Sequence, residues 1–259
     1  MTNKRTERLY GGKVIIDFYP DSHRYKLQGR NDYLISATAA TGVIDKSRFL
    51  IPWAVNTDFS YFRQYLENAN AEKFSREEIL MALEEAQKQH EIRKQEAASV
   101  GSLVHKFAED FSQAKINNQE MPEISEDLCE QAINGISAFL DWYNGHNINF
   151  LDCEKLLYSR KNDFAGLTDA VVDIDGRKIL LDYKTGKGIY SEHYYQVAGY
   201  RLAYEEENGK LDGAMILHFD KETGNFNIKE ISNKDHKINC PVFLACLAIK
   251  KREKEMSKI

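Results

Sequence analysis

No apolar run in the sequence approaches the roughly 18 residues that a membrane-spanning helix requires. A membrane-inserted chain is therefore not expected. There is no CxxC pair. The four cysteines, Cys129, Cys153, Cys240 and Cys246, are scattered, which excludes a disulfide framework and reads as reduced, packed thiols. There is no GxxxxGK stretch followed by Ser or Thr, so no ATP-driven motor is built in and ATP is not an expected cofactor. Basic excess is also missing. With 35 Lys and Arg against 40 Asp and Glu, the net charge is −5, whereas proteins that coat duplex DNA nonspecifically are usually basic. Any nucleic-acid contact must come from a local basic groove, and part of the acidic surplus can be metal-binding carboxylates. The first ten residues carry charge without an apolar stretch, unlike a secretory signal, so a cytoplasmic protein is expected.

What is present is an ordinary globular balance, 42% hydrophobic and 29% charged over 259 residues. Residues 14–35 alternate loosely around Pro20-Asp21 and Gly29, which predicts a hairpin or meander. Residues 36–53, with Gly42 and Pro52 as breakers, read as irregular. Helical spacing follows in Phe59, Phe62 and Leu66. Ser75-Arg76-Glu77-Glu78 is a capping-box pattern ahead of a long Ala/Glu/Lys/Gln-rich helix. A further helix carries Val100, Val104, Phe107 and Phe111 on one face, and another carries Ala132, Ile136, Phe139, Leu140 and Tyr143, stopping near Gly145.

The pattern changes after Asn147. Strands are predicted over 150–158, 165–174 and 178–184, a helix over 190–208, strands over 214–219 and 226–231, and a closing helix from Val242 to about Lys254 with a basic tail. No repeat or linker interrupts this. The expectation is a single α/β domain over 1–259, with an N-terminal hairpin and helical lobe over 1–146 and an α/β core over 147–259.

Asp175-Gly176 lies between two β-rich runs and is a strong two-residue hairpin signal. Counting outward from Ile174 and Arg177 brings Asp169 opposite Asp182. Two ionised carboxylates at that separation repel by about 3 kcal/mol at an effective dielectric near 20. A divalent cation held by both would offset this, and oxygen donors suit Mg²⁺ or Mn²⁺. Lys184, two residues past Asp182, shares its strand face. The apolar runs Leu180-Leu181 and Ala170-Val171-Val172 are typical of strands covered on both faces, where charges are seldom idle.

Gly166-Leu167-Thr168-Asp169, Asp182-Tyr183-Lys184 and Gln196-Val197-Ala198-Gly199-Tyr200, in that order, resemble the GxxD, DxK and QxxxY motifs of the RecB-like branch of the PD-(D/E)XK nucleases. Gly101-Ser102-Leu103-Val104-His105 resembles the upstream GxxxH helix of that branch. Ser36-Ala37-Thr38 and Trp53 are loosely similar to the opening segment of the mitochondrial genome maintenance exonuclease-like group. The resemblance implies a restriction-endonuclease-like core, a mixed central sheet flanked by helices, with a helical N-terminal lobe. It implies catalytic roles for Asp169, Asp182 and Lys184, with His105, Asp169, Asp182 and the carbonyl of Tyr183 as ligands of Mg²⁺ or Mn²⁺. Gln196 and Tyr200, one helical turn apart, would brace the site or touch DNA. Glu109, one turn beyond His105, and Glu154 are candidate supporting residues. Lys187, Lys161 and Arg160 are candidate phosphate contacts, and Tyr190, Tyr194 and Tyr195 candidate stacking residues. Some relatives hold an iron–sulfur cluster with one upstream and three downstream cysteines. That spacing is absent here, so no cluster is expected.

The implied activity is metal-dependent hydrolysis of DNA phosphodiesters, by an exonuclease acting on single-stranded ends. A structure-selective endonuclease and a non-catalytic DNA-binding subunit are the alternatives. The implied partner is DNA with free ends, with room for a recombination or repair protein.

Overall fold

Asp175 and Gly176 both adopt left-handed φ, 53° and 77°, the geometry of a tight two-residue hairpin turn. Ile174 pairs with Arg177, and the ladder runs inward to Ala170 opposite Leu181. The register expected from the Asp-Gly dipeptide is therefore the one observed.

The structure, a computed structural model, describes residues 4–69 and 73–257. Its elements run β1 (Arg5–Leu9), β2 (Val14–Tyr19), β3 (Arg24–Leu27), α1 (Ala37–Thr41), α2 (Ser47–Asn68), α3 (Arg76–Ala86), α4 (Gln89–Asn117) and α5 (Glu130–Asn144). They continue β4 (Ile148–Ser159), β5 (Phe164–Ile174), β6 (Arg177–Lys184), α6 (Ser191–Asn208), β7 (Gly213–Phe219), β8 (Phe226–Ile231) and α7 (Asn233–Met256). The described residues form two compact units, Met1–Ile44 with Leu103–Ile259, and Asp45–Ser102.

In the larger unit, β4 to β8 form one sheet in sequence order. Only the β6–β7 pair is parallel, as a strand–helix–strand crossover through α6 requires; the other neighbours are antiparallel. The fold is thus α/β, with a mixed sheet flanked by helices, as expected. Each face is covered. On one side Val104, Phe107 and Phe111 of α4 and Ile136, Phe139 and Trp142 of α5 pack on Val172, Leu181 and Leu217. On the other, Val197, Tyr200 and Tyr204 of α6 and Phe243 and Leu247 of α7 pack on Val171, Leu180 and Ile216. Successive residues of β5 and β6 face opposite cores, which explains their near-continuous apolar runs. β1, β2 and β3 form a separate three-stranded sheet, whose Leu9, Ile16, Phe18 and Tyr25 cluster with Leu156 and Tyr158 of β4.

In the smaller unit, Ser75 caps α3 by the expected reciprocal box with Glu78, and the Asp58 carboxylate accepts the His90 backbone N–H at 2.9 Å.

Several elements differ from expectation. The long helix after Ser75 breaks at Gln87-Lys88, and its second half fuses with the Val100–Phe111 helix into the 29-residue α4. Residues 36–53 are largely helical: Ser36 caps α1 by accepting the Ala39 N–H, and α2 runs through Pro52. α7 starts nine residues before Val242, because Ser232 and Asp235 form a capping box and Pro241 lies within the helix. β1 was not expected; its Arg-Thr-Glu-Arg sequence is polar because much of the strand is not buried. The last two residues of the basic tail lie outside the described residues.

Candidate functional site

Asp169 is left out of the ladder on both sides: pairing with β6 ends before it, and pairing with β4 skips it and resumes at Thr168. Towards β6, pairing ends at Ala170–Leu181, so Asp169 and Asp182 stand opposite without a ladder between them. Their place is taken by side chains. Asp169 Oδ2 accepts the Tyr183 backbone N–H at 2.5 Å, and the Thr168 hydroxyl donates to the Leu181 carbonyl at 3.0 Å. Towards β4, Cys153 pairs with Ala170 and Lys155 with Thr168, which leaves Glu154 opposite Asp169. Glu154 has φ 48°, an uncommon conformation for a side-chain-bearing residue, and its carbonyl accepts from Arg5 Nη2 at 2.7 Å. Three carboxylates thus line one break in the sheet.

Two basic side chains face the two aspartates. Lys184 Nζ lies 2.6 Å from Asp182 Oδ2, in a geometry that leaves this buried oxygen without a directed hydrogen bond. His105 Nδ1 of α4 lies 3.4 Å from Asp169 Oδ1, and its ring meets the edge of Tyr183 with centroids 6.1 Å apart. Burial works to raise the Asp169 carboxyl, but His105, Lys184 and the Tyr183 N–H outweigh it and keep it below the usual range. Asp182, 2% exposed, goes the other way: burial, helped by the charge of Asp169, pushes it up despite Lys184. Glu154 is pushed up to about 8 by burial and by Asp169 and Glu109. Burial works to lower His105, but the charge and hydrogen bond of Asp169, with the charge of Asp182, together outweigh it and raise the imidazole. Paired acids whose environments drive them apart are typical of catalytic sites.

His105, Asp169, Asp182, Tyr183 and Lys184 are therefore brought together, with Glu154 and Glu109 bearing on them electrostatically. Glu109 is itself engaged by Lys106 Nζ at 3.3 Å and Gln113 Nε2 at 3.1 Å. The donor chemistry, carboxylate oxygens with one imidazole, suits a hard divalent cation. Among the described residues no three His, Cys, Asp or Glu side chains already surround one point as a metal cage. The crowding of three carboxyl groups, two of them pushed up by burial and by the charge of Asp169, is the feature a divalent cation would relieve.

Gln196 and Tyr200 form an adjacent network. Gln196 Nε2 donates to the Tyr200 hydroxyl and to Thr38 Oγ1, both at 2.8 Å, and Thr38 Oγ1 lies 3.3 Å from the Tyr200 hydroxyl. Burial and then the charge of Asp182 hold the Tyr200 proton in place, well above its usual pKa. Thr38 carried no role in the sequence; Ser36-Ala37-Thr38 was its one signal.

The remaining candidates lie apart from this cluster. Lys187 is exposed in the loop after β6, which is anchored by the Gly186 carbonyl against His218 Nε2 at 2.5 Å. The Arg160 guanidinium lies over the Tyr10 ring at 5.3 Å, and the Lys161 backbone N–H donates to Glu206 at 3.3 Å. Tyr194 and Tyr195 pack against the α6 core, while Tyr190 is 50% exposed. The four cysteines are free thiols, and no helix among the described residues is long and apolar enough to cross a membrane.

No protein-family model matches the chain, and no curated protein matches it in sequence. Similar solved structures include a candidate exonuclease from Eubacterium rectale, at 17% identity, covering 61% of this chain and 68% of that one with a TM-score of 0.39. LHK-Exo in complex with dAMP is 13% identical, with 62% and 90% covered and a TM-score of 0.35. LHK-Exo, an alkaline exonuclease from Laribacter hongkongensis, also matches at 12% identity, with 62% and 92% covered and a TM-score of 0.30. All three likenesses are partial.

Proposed function

We propose that this chain is a metal-dependent nuclease that hydrolyses DNA phosphodiester bonds, acting as an exonuclease on single-stranded ends. The observation that carries the reading is the break in the sheet at Asp169, where Glu154 and Asp182 face it and Lys184 and His105 supply the opposing charge. The preference for single-stranded ends rests on the sequence resemblance to end-processing nucleases.

Asp169 and Asp182 would hold Mg²⁺ or Mn²⁺, with the Tyr183 carbonyl and His105 as further donors. The bound cation would supply Lewis acidity toward the scissile phosphate. The protein's own groups do the rest. The Tyr183 N–H holds one Asp169 oxygen and so fixes the carboxylate; the other, which His105 faces, would turn to the cation. Lys184, once Asp182 takes up the cation, has its ammonium free to orient the attacking water and to meet charge growing on the phosphate oxygens. The water oxygen bonds to phosphorus, the P–O bond to the leaving sugar breaks, and the leaving oxygen takes up a proton.

The test is cleavage of end-labelled single- and double-stranded DNA with Mg²⁺, Mn²⁺ or EDTA, beside Asp182→Asn. Metal-dependent loss of label from the wild type alone is expected. Cleavage in EDTA, equal cleavage by Asp182→Asn, or none on any linear strand would each overturn the reading. A cut closed single-stranded circle would replace end entry with endonuclease action.

A further inference from the structure

Alternation sorts the small β1–β2–β3 sheet into two unlike faces. Successive side chains of a strand point to opposite sides. Leu9, Ile16, Phe18 and Tyr25 face inward onto β4, and from that side Arg5 reaches the Glu154 carbonyl, next to the acidic cluster. The outer face therefore looks away from the catalytic site. The register sets Arg8 opposite Ile15, Thr6 in one row with Asp17 and Lys26, and Tyr19 opposite Arg24. Three cations, Arg8, Arg24 and Lys26, thus stand on the outer face of the strands. Asp17 is the one carboxylate among them, and it is already met by Lys4 Nζ at 3.2 Å and by the Thr6 hydroxyl at 2.6 Å.

Arg8, Arg24 and Lys26 form no ion pair with a carboxylate among the described residues. Two of them are held by an aromatic ring instead. The Arg24 guanidinium and the Lys26 ammonium lie 5.2 and 6.0 Å from the centroid of Tyr33. Tyr33 is 39% exposed and meets Tyr19 edge-on at 5.9 Å. Its backbone is tied to α7 by Lys254, which donates to the Tyr33 carbonyl and pairs with Asp32 at 2.8 Å. A cation–π contact steadies a long basic side chain without neutralising it. A surface groove of about 450 Å³ runs alongside, lined by Tyr19, Lys26, Gln28 and Arg30 together with Asp17. In a chain of net charge −5, steadied and uncompensated cations beside a groove are a local site for a polyanion.

We infer that the outer face of β1–β2–β3 is a second contact surface for single-stranded DNA. Arg8, Arg24 and Lys26 meet backbone phosphates of the strand well away from the scissile bond, and Tyr33 is the positioning residue for Arg24 and Lys26. The identity of the polyanion rests on the nuclease reading; the face itself includes no residue of the catalytic cluster. Contacts of this kind hold the strand and carry no base information.

The test uses the full chain with Arg24→Gln and Lys26→Gln together, beside a charge-keeping pair, Arg24→Lys with Lys26→Arg. Fluorescein-labelled oligo(dT) of about 30 nucleotides, longer than a single-strand site of roughly 4–16, is compared with one of about 6. Binding is read by anisotropy in EDTA over a range of salt, and kcat and KM in Mn²⁺. The Gln pair should bind the long strand roughly tenfold or more weaker, the usual worth of hydrogen bonds to charged groups. Its plot of log affinity against log salt should be shallower by about 1.4, which is about 0.7 for each of two phosphates. KM for the long strand should rise with kcat unchanged, the mark of binding remote from the chemistry, and cleavage of the short strand should not change. The charge-keeping pair should bind as the wild type. Wild-type affinity and slope in the Gln pair overturn the inference, and so does an equal loss on the short strand, which would put the contact in the catalytic cleft. Displacement of the oligonucleotide by polyglutamate at equal charge would overturn it in favour of an acidic protein. A wild type that binds with the expected slope but never cleaves overturns the nuclease reading and leaves this face standing; one that cleaves while the Gln pair binds unchanged does the reverse.

Discussion

Gly166 lies beneath the ring of Tyr200: a methyl group added to Gly166 would stand 2.7 Å from Tyr200 Cε1 and 2.8 Å from Cδ1. The glycine of one sequence motif and the tyrosine of another are thus two halves of one contact. The ring cannot swing aside, since its hydroxyl is held by Gln196 and Thr38. Gly166→Ala should cost about 1–3 kcal/mol through overpacking and should reduce cleavage beyond the loss of folded protein. In the double variant with Tyr200→Ala the two losses should be less than additive, because removing the ring relieves the overlap. Urea unfolding of the two single variants and the double variant decides this; strictly additive losses would refute the contact.

Lys184 and Asp182 form the second informative pair. Lys184→Met keeps the aliphatic stem and removes the charge that faces a buried carboxylate. Breaking such a pair is strongly destabilising when nothing replaces the cation. The expected result is a lower Tm than wild type in EDTA, a larger rise in Tm on adding Mn²⁺, and no detectable cleavage. A variant that turns over DNA at the wild-type rate, or whose Tm ignores Mn²⁺, would remove Lys184 from the site.

The parts of this arrangement that were legible in the sequence are those set by local chemistry. Asp175-Gly176 dictates a turn, and the turn sets the register that runs to Ala170 opposite Leu181, the pair next to Asp169 and Asp182. Leu180 and Leu181 announce a strand buried on both faces. Ser75 and Glu78 mark a helix start. What escaped depended on partners distant in the chain. Pro52 suggested a boundary, and the closing helix was expected only from Val242, yet α2 runs through Pro52 and α7 through Pro241. The register shift near Phe150–Asp152 and the left-handed Glu154 have no glycine to signal them. Thr38 reads as an ordinary surface threonine until α6 brings Gln196 and Tyr200 to it.

Glu154 should make the metal-free protein less stable as pH rises. Its carboxyl is raised to about 8 by burial and by Asp169 and Glu109, above an unfolded value of about 4.3. Between these values the folded chain holds more protons than the unfolded one, so stability falls through that window. Glu154→Gln keeps the shape and removes the titration. Urea unfolding in EDTA should show the variant gaining on the wild type as pH rises from 4 towards about 8. A pH-independent difference would contradict the placement of this acid.

His236 of α7 should act in the opposite direction over an overlapping range. Burial, and then the charge of Arg201, lower its imidazole to about 4, and its Nδ1 has no hydrogen-bond partner among the described residues. The unfolded chain takes up this proton near pH 6.5 and the folded chain only near 4, so the stability contributed by neutral His236 is complete above the unfolded value and is lost as pH falls between them. Below pH 6.5 this slope opposes that of Glu154, and the wild-type profile alone would show little of either. The two variants separate them: His236→Gln should remove the loss on acidification and leave the decline at higher pH, whereas Glu154→Gln should do the reverse. Parallel profiles for His236→Gln and wild type between pH 4 and about 6.5 would show that His236 is not buried against Arg201 as described.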